Sequence, residues 1–455
     1  MIEQDAIESS RFSRSAALVG SGARVGINYL KYYARRALSG ETNESSLHEE
    51  NADEIYKTFS RLKGGPLKLA QMLSIDKNFL PPAYARQFAQ GQYSAPPLSY
   101  PLVVRTFRRE FACEPGEMFE SFSRQAEHGA SIGQVHRASK DGREFAVKVQ
   151  YPGVADSLRN DLRLIKPIAL QVLGLRQQDV EDYFREVEAR LLEETDYTLE
   201  LRRSIELSRS SSHLENVSFP TYYPELSSSR VLTMDWVAGI PLDRYADGDA
   251  SPAERDQIGQ ALWDFYSHQI HSLRAFHADP HPGNFLVKDR KLWVLDFGCT
   301  KTITEDFHRK QFAFLDPSLL ADRARLEKAM EALDILLPGD GPAEREKMIA
   351  LCERSLELLS RPFRERNFDF GKPELMTAIH EMGEENRKDE TLRSLHGRRG
   401  SADSIYVNRT FFGLYSLLSR LRARVQISLP AGAAISPTRF AIAFHCCMGE
   451  SRQNC

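Results

Sequence analysis

No run of this 455-residue chain approaches the roughly 18 consecutive apolar residues that a membrane-spanning helix needs, and mean hydropathy is −0.43. Cysteine is sparse. Cys113, Cys299 and Cys352 are scattered, while Cys446, Cys447 and Cys455 crowd the tail. None forms a C-x-x-C pair, which argues against structural zinc and for a reducing compartment. There is little net charge: 60 Lys or Arg against 63 Asp or Glu leaves −3, so nucleic acid is not expected as a partner. Internal repeats and low-complexity segments are also lacking. With 42% hydrophobic and 27% charged residues, the composition excludes disorder, collagen and a disulfide scaffold. An ordinary globular chain of two or three domains remains.

The charge balance hides a local excess. Between Ser9 and Gly40 there are six Arg or Lys residues and no Asp or Glu. Val19, Ile27, Leu30 and Tyr33 recur there at roughly helical spacing, and Gly22 and Gly26 form a G-x-x-x-G pair. The segment reads as an amphipathic helix on an anionic membrane surface, or as a basic helix packed on the rest of the protein. Its Ser-rich start resembles a transit peptide, but Glu3, Asp5 and Glu8 spoil that match.

Beyond it, Ile55, Phe59, Leu62, Leu67, Leu69, Met72 and Leu73 follow a helical pattern broken at Gly64-Gly65-Pro66 and closed by Pro81-Pro82. Tyr100 to Phe122 predicts another helix, with a turn at Glu114-Pro115-Gly116. The period then changes. Ile132 to Ala138 and Glu144 to Gln150 predict two strands joined by an Asp141-Gly142 hairpin turn. Helix is expected again over Ala155 to Ser210, a strand over Arg230 to Met234, helix over Pro252 to Arg274, and a small hairpin from Phe285 to Leu295. After Asp306 the pattern is mostly helical. A small sheet flanked by helices and followed by a helical half is an α+β arrangement of two lobes.

The chemistry is concentrated in three places. In Val294-Leu295-Asp296-Phe297-Gly298 an Asp ends an apolar strand before a flexible Gly, as kinases present a carboxylate to magnesium. Upstream lies His277-Ala278-Asp279-Pro280-His281-Pro282-Gly283-Asn284, with Asn284 five residues after Asp279. That is the kinase catalytic-loop spacing H-x-D-x-x-x-x-N: the Asp reaches the acceptor hydroxyl and the Asn turns back to a metal that Asp296 also holds. His277 and His281 invite a zinc reading, but Pro280 and Pro282 oppose the helix it needs. His277 is read as bracing the loop backbone, and His281 as an ordinary loop histidine.

The third place is Phe145-Ala146-Val147-Lys148-Val149, which matches the kinase V-A-I-K strand. A lysine amid such a strand is costly to bury unless it meets phosphate or carboxylate. The segment His128-Gly129-Ala130-Ser131-Ile132-Gly133-Gln134 lies where kinases place their phosphate-covering loop, although it is not G-x-G-x-x-G. Glu194, Asp196 and Glu200 are candidate carboxylates for Lys148. Asp196 and Glu200 are placed on one helix face, Glu193 is read as solvated, and spacing does not choose between Glu194 and Glu200.

Together these residues resemble a known family. Ala130 to Ala138, Val147 to Val154 and the His277 to Asn284 loop are similar to the UbiB-type (aarF-domain-containing) atypical kinases. Lys68-Leu69-Ala70-Gln71 is similar to that family's K-x-G-Q helix, and Glu194-Thr195-Asp196 to its E-x-D motif. The resemblance runs from about Ala52 to the helix near Phe411 to Leu421 and implies a protein-kinase-like two-lobed fold. An N-terminal helical extension would lie over the active-site cleft. The expected segments are 1–50 (basic), 51–125 (extension), 126–235 (N-lobe) and 236–455 (helical C-lobe). Lys148 would hold the α- and β-phosphates of ATP, Asn284 and Asp296 Mg2+, and Asp279 the catalytic-base position. Ala130, Ser131, Ile132 and Gly133 would cover the phosphates, and Met234, Asp235, Trp236 and Val237 would be the hinge for adenine. Lys68 and Gln71 would contact Glu194 and Asp196, leaving Glu200 to pair with Lys148. The chain departs from the family with Ala70 for the Gly of K-x-G-Q and His128-Gly129 for two loop alanines.

The resemblance implies an ATP- and Mg2+-dependent kinase or ATPase in ubiquinone or other isoprenoid-lipid metabolism. Expected partners are a nucleotide, a lipid or quinone-precursor small molecule, a membrane surface contacted by the N-terminal basic segment, and a second copy of the chain. The expected location is cytoplasmic, peripheral on the inner face of a membrane, with mitochondrial as the alternative. The tail from Ala431 to Cys455, interrupted by Ser436-Pro437 and Arg439, is expected to lack the membrane helices some relatives carry. Competing readings are a small-molecule phosphotransferase of the aminoglycoside or choline kinase type, which lacks a K-x-G-Q helix, and a non-catalytic nucleotide switch. No A-P-E follows Gly298, which counts against an ordinary protein kinase.

Overall fold

The computed structural model describes residues 11–39, 44–62, 66, 83–84, 87, 99–130, 132–173, 185, 188–389 and 399–427. Lys68, Ala70, Gln71, Ser131 and the tail from Ala431 lie outside the described residues. The chain divides into two compact units. One comprises Met1–Glu206 with Pro220–Val237, the other Leu207–Phe219 with Ala238–Cys455.

The first unit begins with α1 (Arg11–Ser39) and α2 (Glu44–Leu62). Leu18 and Val25, two turns apart on α1, bury against Ala52, Ile55, Phe59 and Leu62 of α2. Asn28 Nδ2 donates to Asn51 Oδ1 at 2.8 Å, satisfying amides that would be costly to bury alone. Next comes α3 (Tyr100–Phe111), which ends at Ala112 in the left-handed region, φ 58°. The helix expected as far as Phe122 therefore stops eleven residues early. A one-turn α4 (Pro115–Met118) intervenes, and Phe122 belongs to β1 (Ser121–Phe122). Hydrophobic spacing alone missed this, because Phe119 and Phe122 pack on Phe107 from outside the helix.

The sheet of this unit contains β1, β2 (His128–Gly129), β3 (Gly133–Lys140), β4 (Arg143–Gln150) and β6 (Val231–Asp235), in the order β1-β3-β4-β6 with β2 also on β3. It begins at Ser121, upstream of the expected boundary at 126. Asp141 (φ 51°) and Gly142 (φ 69°) both take the positive-φ conformation of a tight hairpin turn. Phe145 to Gln150 of β4 are buried throughout. Successive side chains leave opposite faces of a strand. Phe145, Val147 and Val149 join Val103, Phe107 and Phe119 on one side. Ala146 joins Ile132, Tyr197, Leu232 and Met234 on the other, the side to which Lys148 also belongs. α5 (Val154–Leu173) packs Leu158, Leu162 and Ile165 into the α1–α2 cluster.

A further helix, α6 (Tyr197–Ser210), runs from the first unit into the second. In the second unit β5 (Val217–Ser218) pairs in parallel with β10 (Lys291–Val294). β7 (Ile240–Pro241) and β9 (Phe285–Lys288) complete that sheet in the order β5-β10-β9-β7. β8 (Ala275–His277) pairs with β11 (Thr300–Thr302). Around them lie α7 (Leu242–Asp247), α8 (Pro252–His268), α9 (Glu305–Phe314), α10 (Arg323–Ala332), α11 (Pro342–Leu359), α12 (Glu374–Lys388) and α13 (Ala402–Leu421). The helix start at Pro252 is set by a capping box in which Ser251 accepts from Glu254 N–H. β12 (Asn367–Asp369) and β13 (Arg424–Gln426) form a last ribbon.

Contact between α8 and β13 depends on Gly259, where an added Cβ would lie 2.3 Å from Ala423 Cβ. Gly259→Ala should therefore destabilise the protein by about 1–3 kcal/mol, the usual cost of overpacking. Gly116→Ala, with no atom within 4 Å of the added carbon, should not. Thermal unfolding of the two variants beside wild type checks this.

Candidate functional site

The first unit carries the residues around Lys148. Lys148 sits on β4 between Val147 and Val149, both buried, and its Nζ donates to Glu200 Oε1 at 2.6 Å. Both residues are buried. A charge this deep is stable only when paired and hydrogen-bonded. Glu200 comes from the first turn of α6, fifty-two residues later in the chain. Of the two acids that spacing left open, Glu200 is thus at hydrogen-bond distance from the ammonium. The ammonium also lies 5.0 Å from the centroid of the Tyr197 ring, a cation–π contact one turn before Glu200.

Tyr197 also shapes the neighbouring loop. An added Cβ at Gly133 would lie 2.7 Å from the Tyr197 hydroxyl and 2.6 Å from the carbonyl oxygen of Val149. Only glycine fits there, where the chain leaves the loop to enter β3. Ala130 N–H donates to Gly133 O at 2.8 Å, closing the turn, and Ile132 is buried beside it. On β6, Met234 is opposite Ala146 and Leu232 opposite Lys148, so both lie on the lysine side of the sheet. The Asp235 carboxylate is committed elsewhere, accepting from Thr221 N–H at 2.8 Å and the Tyr223 hydroxyl at 2.6 Å. Trp236 N–H donates to Glu144 O, its ring is stacked on His128, and Val237 is buried.

The acidic motif is divided between a helical stretch over 188–194 and α6. Glu194 is buried. Asp196 precedes α6 and caps it, accepting from Thr198 N–H at 3.0 Å and Leu199 N–H at 3.3 Å. It does not share a helix face with Glu200, as spacing had indicated, because the helix begins only after it. Glu193, expected to be solvated, is held by Arg190 at 3.0 Å and Arg203 at 2.8 Å. Gln150 Nε2 donates to Thr195 O at 2.8 Å and ties this motif to the end of β4.

The second unit carries the loop from His277 to Asn284, whose spacing resembles that of a kinase catalytic loop. β8 delivers His277 and Ala278, both buried, and Ala278 N–H donates to Cys299 O at 2.8 Å. The His277 ring lies between Tyr266, whose hydroxyl is 3.4 Å from Nδ1, and Phe297. Gln269 Oε1 accepts from His277 N–H at 2.7 Å. The ring of His277 thus meets side chains, and it is Gln269 that holds the backbone here. His281 is more than a loop residue: its Nδ1 accepts from Gly283 N–H at 3.1 Å, capping the turn at Pro282–Asn284.

Asn284 Nδ2 donates to Asp279 O at 3.0 Å, so the loop closes on itself over the five-residue spacing. Leu295 N–H donates to Asn284 O at 3.0 Å, fixing the residue before Asp296 to the same asparagine. Asp296 Oδ1 accepts from Gly298 N–H at 2.6 Å. A carboxylate and an amide oxygen are hard donors of the kind Mg2+ takes. Among the described residues no group of three or more His, Cys, Asp or Glu could hold a metal. Asn284 with Asp296 therefore fits a cation that completes its shell with phosphate oxygens and water.

Two contributors escaped sequence reasoning. Tyr197 has no motif, although its position three residues before Glu200 on an expected helix was a usable signal. Arg409, whose Nη2 donates to Asp279 Oδ1 at 3.1 Å, lies 130 residues away and left no sequence signal.

Lys148→Met should cost about 3–5 kcal/mol of stability, because it leaves Glu200 buried without its cation. Lys148→Met with Glu200→Leu should regain much of that. Denaturant unfolding of the single and double variants measures both. Recovery in the double variant would identify the unpaired carboxylate as the source of the loss.

Comparison with known proteins places these motifs in context. The ABC1 atypical kinase-like domain matches residues 90–330, more than half of the chain. The probable serine/threonine-protein kinase abkA of Dictyostelium discoideum is 26% identical over 93% of this chain and 79% of its own length. The mitochondrial atypical kinase COQ8B of Rattus norvegicus is 28% identical over 82% of this chain and 72% of its own. Among solved structures, the Rv3197–erythromycin complex of Mycobacterium tuberculosis shares the fold. Its TM-score is 0.59 at 24% identity, over 86% of this chain and 99% of that one. The α+β architecture is thus kinase-like, and the chain belongs to the ABC1 (UbiB-type) atypical kinase family.

Proposed function

We propose that this protein is an ATP- and Mg2+-dependent kinase-like enzyme that works at a membrane surface on quinone or other isoprenoid-lipid metabolism. The observation that carries the nucleotide reading is the buried Lys148–Glu200 pair at 2.6 Å, a cation kept in a strand with no other use for it. Lys148 binds the α- and β-phosphates, with Ala130, Ser131, Ile132 and Gly133 covering them. The backbone of Met234 to Val237 receives adenine, since the Asp235 carboxylate is already bonded to Thr221 and Tyr223. Asn284 and Asp296 hold magnesium, which when bound neutralises charge on the phosphates. Asp279 orients the acceptor hydroxyl or water and takes its proton. Lys68 and Gln71 act on the acidic motif of Glu194 and Asp196 and restrict which acceptors enter. The quinone and isoprenoid assignment rests on the family resemblance.

The membrane reading rests on α1. Its Leu18 and Val25 face the protein, yet Val19, Ile27 and Leu30 are 60%, 48% and 70% exposed. The charged residues of this helix are all basic. An exposed apolar strip on a helix whose own charges are all basic, one of them Arg24 paired with Glu54 of α2, suits an anionic lipid surface. No helix among the described residues is long and apolar enough to cross a membrane, so contact through α1 is peripheral. The location is the cytoplasmic or the mitochondrial side of such a membrane, the second being the compartment named for COQ8B.

Magnesium-dependent ATP hydrolysis should be present in wild type and absent in Asp296→Asn. It should rise with anionic liposomes and a quinone-precursor-like phenol. Tight nucleotide binding with no hydrolysis under any of these conditions would favour a switch module instead. In a separate flotation assay, Val19→Glu with Leu30→Glu should reduce recovery with anionic liposomes several-fold. Equal flotation of variant and wild type would remove α1 from the membrane reading.

A further inference from the structure

We propose that Arg409 of α13 is the positioning residue for Asp279, and that α13 does for this catalytic loop what an ordered activation segment does in protein kinases. The inference rests on the nucleotide-hydrolysing reading above.

The residue before Asp279 is Ala278, fully buried. A cation arrives from another element. Arg409 Nη2 donates to Asp279 Oδ1 at 3.1 Å, with the side chains 12% and 18% exposed. A charge-assisted bond this well shielded restricts rotation of the carboxylate and so sets the direction of its second oxygen.

The helix α13 touches the loop at one further point and strand β11 at another. Gly413, one turn on, lies under Pro280: an added Cβ would come 2.1 Å from Pro280 Cγ. Asp403 Oδ1, in the first turn, pairs at 2.8 Å with Lys301 Nζ on β11, the strand that follows Asp296-Phe297-Gly298. Lys301 is buried, and its ammonium lies 5.0 Å from the Tyr406 ring centroid. Residues 403, 406, 409 and 413 recur at helical spacing along one stripe. That stripe grips Asp279, Pro280 and the segment after Gly298 together. Helix propensity would not favour Gly413, and Asp403 of the same helix pairs with a buried lysine. Both are explained if the stripe exists to fix the loop.

Steady-state ATP hydrolysis tests the assignment in wild type, Arg409→Met, Arg409→Lys, Asp279→Asn and the double variant Asp279→Asn with Arg409→Met. Arg409→Met should lower kcat by about 10- to 100-fold, the penalty for a misdirected catalytic group, and leave KM for ATP within about twofold. Arg409→Lys, which keeps the charge and loses the planar fork, should fall between that and wild type. Removing Arg409 should have no further effect once Asp279 is Asn, because the two act as a unit. Gly413→Ala, pushing on Pro280 from the same helix, should also lower kcat. It serves as the independent route should Arg409→Met not fold. Wild-type kcat in the arginine variants, or an equal loss from Arg409→Met with and without Asp279, would overturn the role given to Arg409. A wild type that hydrolyses no ATP would instead overturn the functional reading beneath it.

Discussion

An ammonium group in the buried stretch of a β-strand sets the terms for the first unit. Moving such a charge out of water costs several kcal/mol after relaxation, and only a carboxylate at hydrogen-bond distance repays it. Glu200 does so at 2.6 Å, which requires α6 to begin where it does. Asp196 fixes that start by capping the helix, and Gln150 ties the preceding turn to the end of the lysine's own strand. Tyr197, placed by the same cap, covers the ammonium with its ring and forces glycine at position 133. One electrostatic requirement thus runs through the strand, the helix cap and the loop.

The second unit solves a different problem, holding an irregular loop rigid without regular hydrogen bonding along it. Backbone groups of the loop are satisfied by its own side chains, Asn284 to Asp279 O and Gly283 N–H to His281. Its flanks are held by the short β8–β11 pairing and by His277 between Tyr266 and Phe297. The carboxylate at its centre is held from outside, by a helix that meets the loop with a guanidinium and a glycine and meets β11 with an acid–lysine pair. Prolines at 280 and 282 lower the entropy the loop loses on ordering. Rigid elements, more than loop sequence, therefore fix the position of the carboxylate.

Legibility followed sequence distance. Lys148 was readable because a lysine inside a β-branched strand contradicts its surroundings, and such contradictions point to function. Asp279, Asn284 and Asp296 were readable from spacing, since one loop and one hairpin fix the separations. The hairpin at Asp141-Gly142 was equally plain, because few residue pairs accept two successive positive φ angles. The end of α3 was not: Phe119 and Phe122 keep a helical interval but pack on Phe107 after the chain has turned. Nor was the partner of Lys148, for Glu194 and Glu200 are equally good acids on paper. They differ only in which side of the break at Thr195-Asp196 they occupy.

By itself the sequence determined the fold class, the strand that buries the lysine and the loop that bears Asp279 and Asn284. Periodicity, turn chemistry and short-range spacing act within a few tens of residues and leave a local trace. Tertiary structure alone decided that Glu200 meets Lys148, that Tyr197 lies over the ammonium, and that Arg409 and Gly413 meet Asp279 and Pro280. The Arg409–Asp279 pairing joins residues 130 positions apart. A contact of that separation costs the same local sequence whether it is made or not, so only the packing of whole helices against the sheet or loop records it.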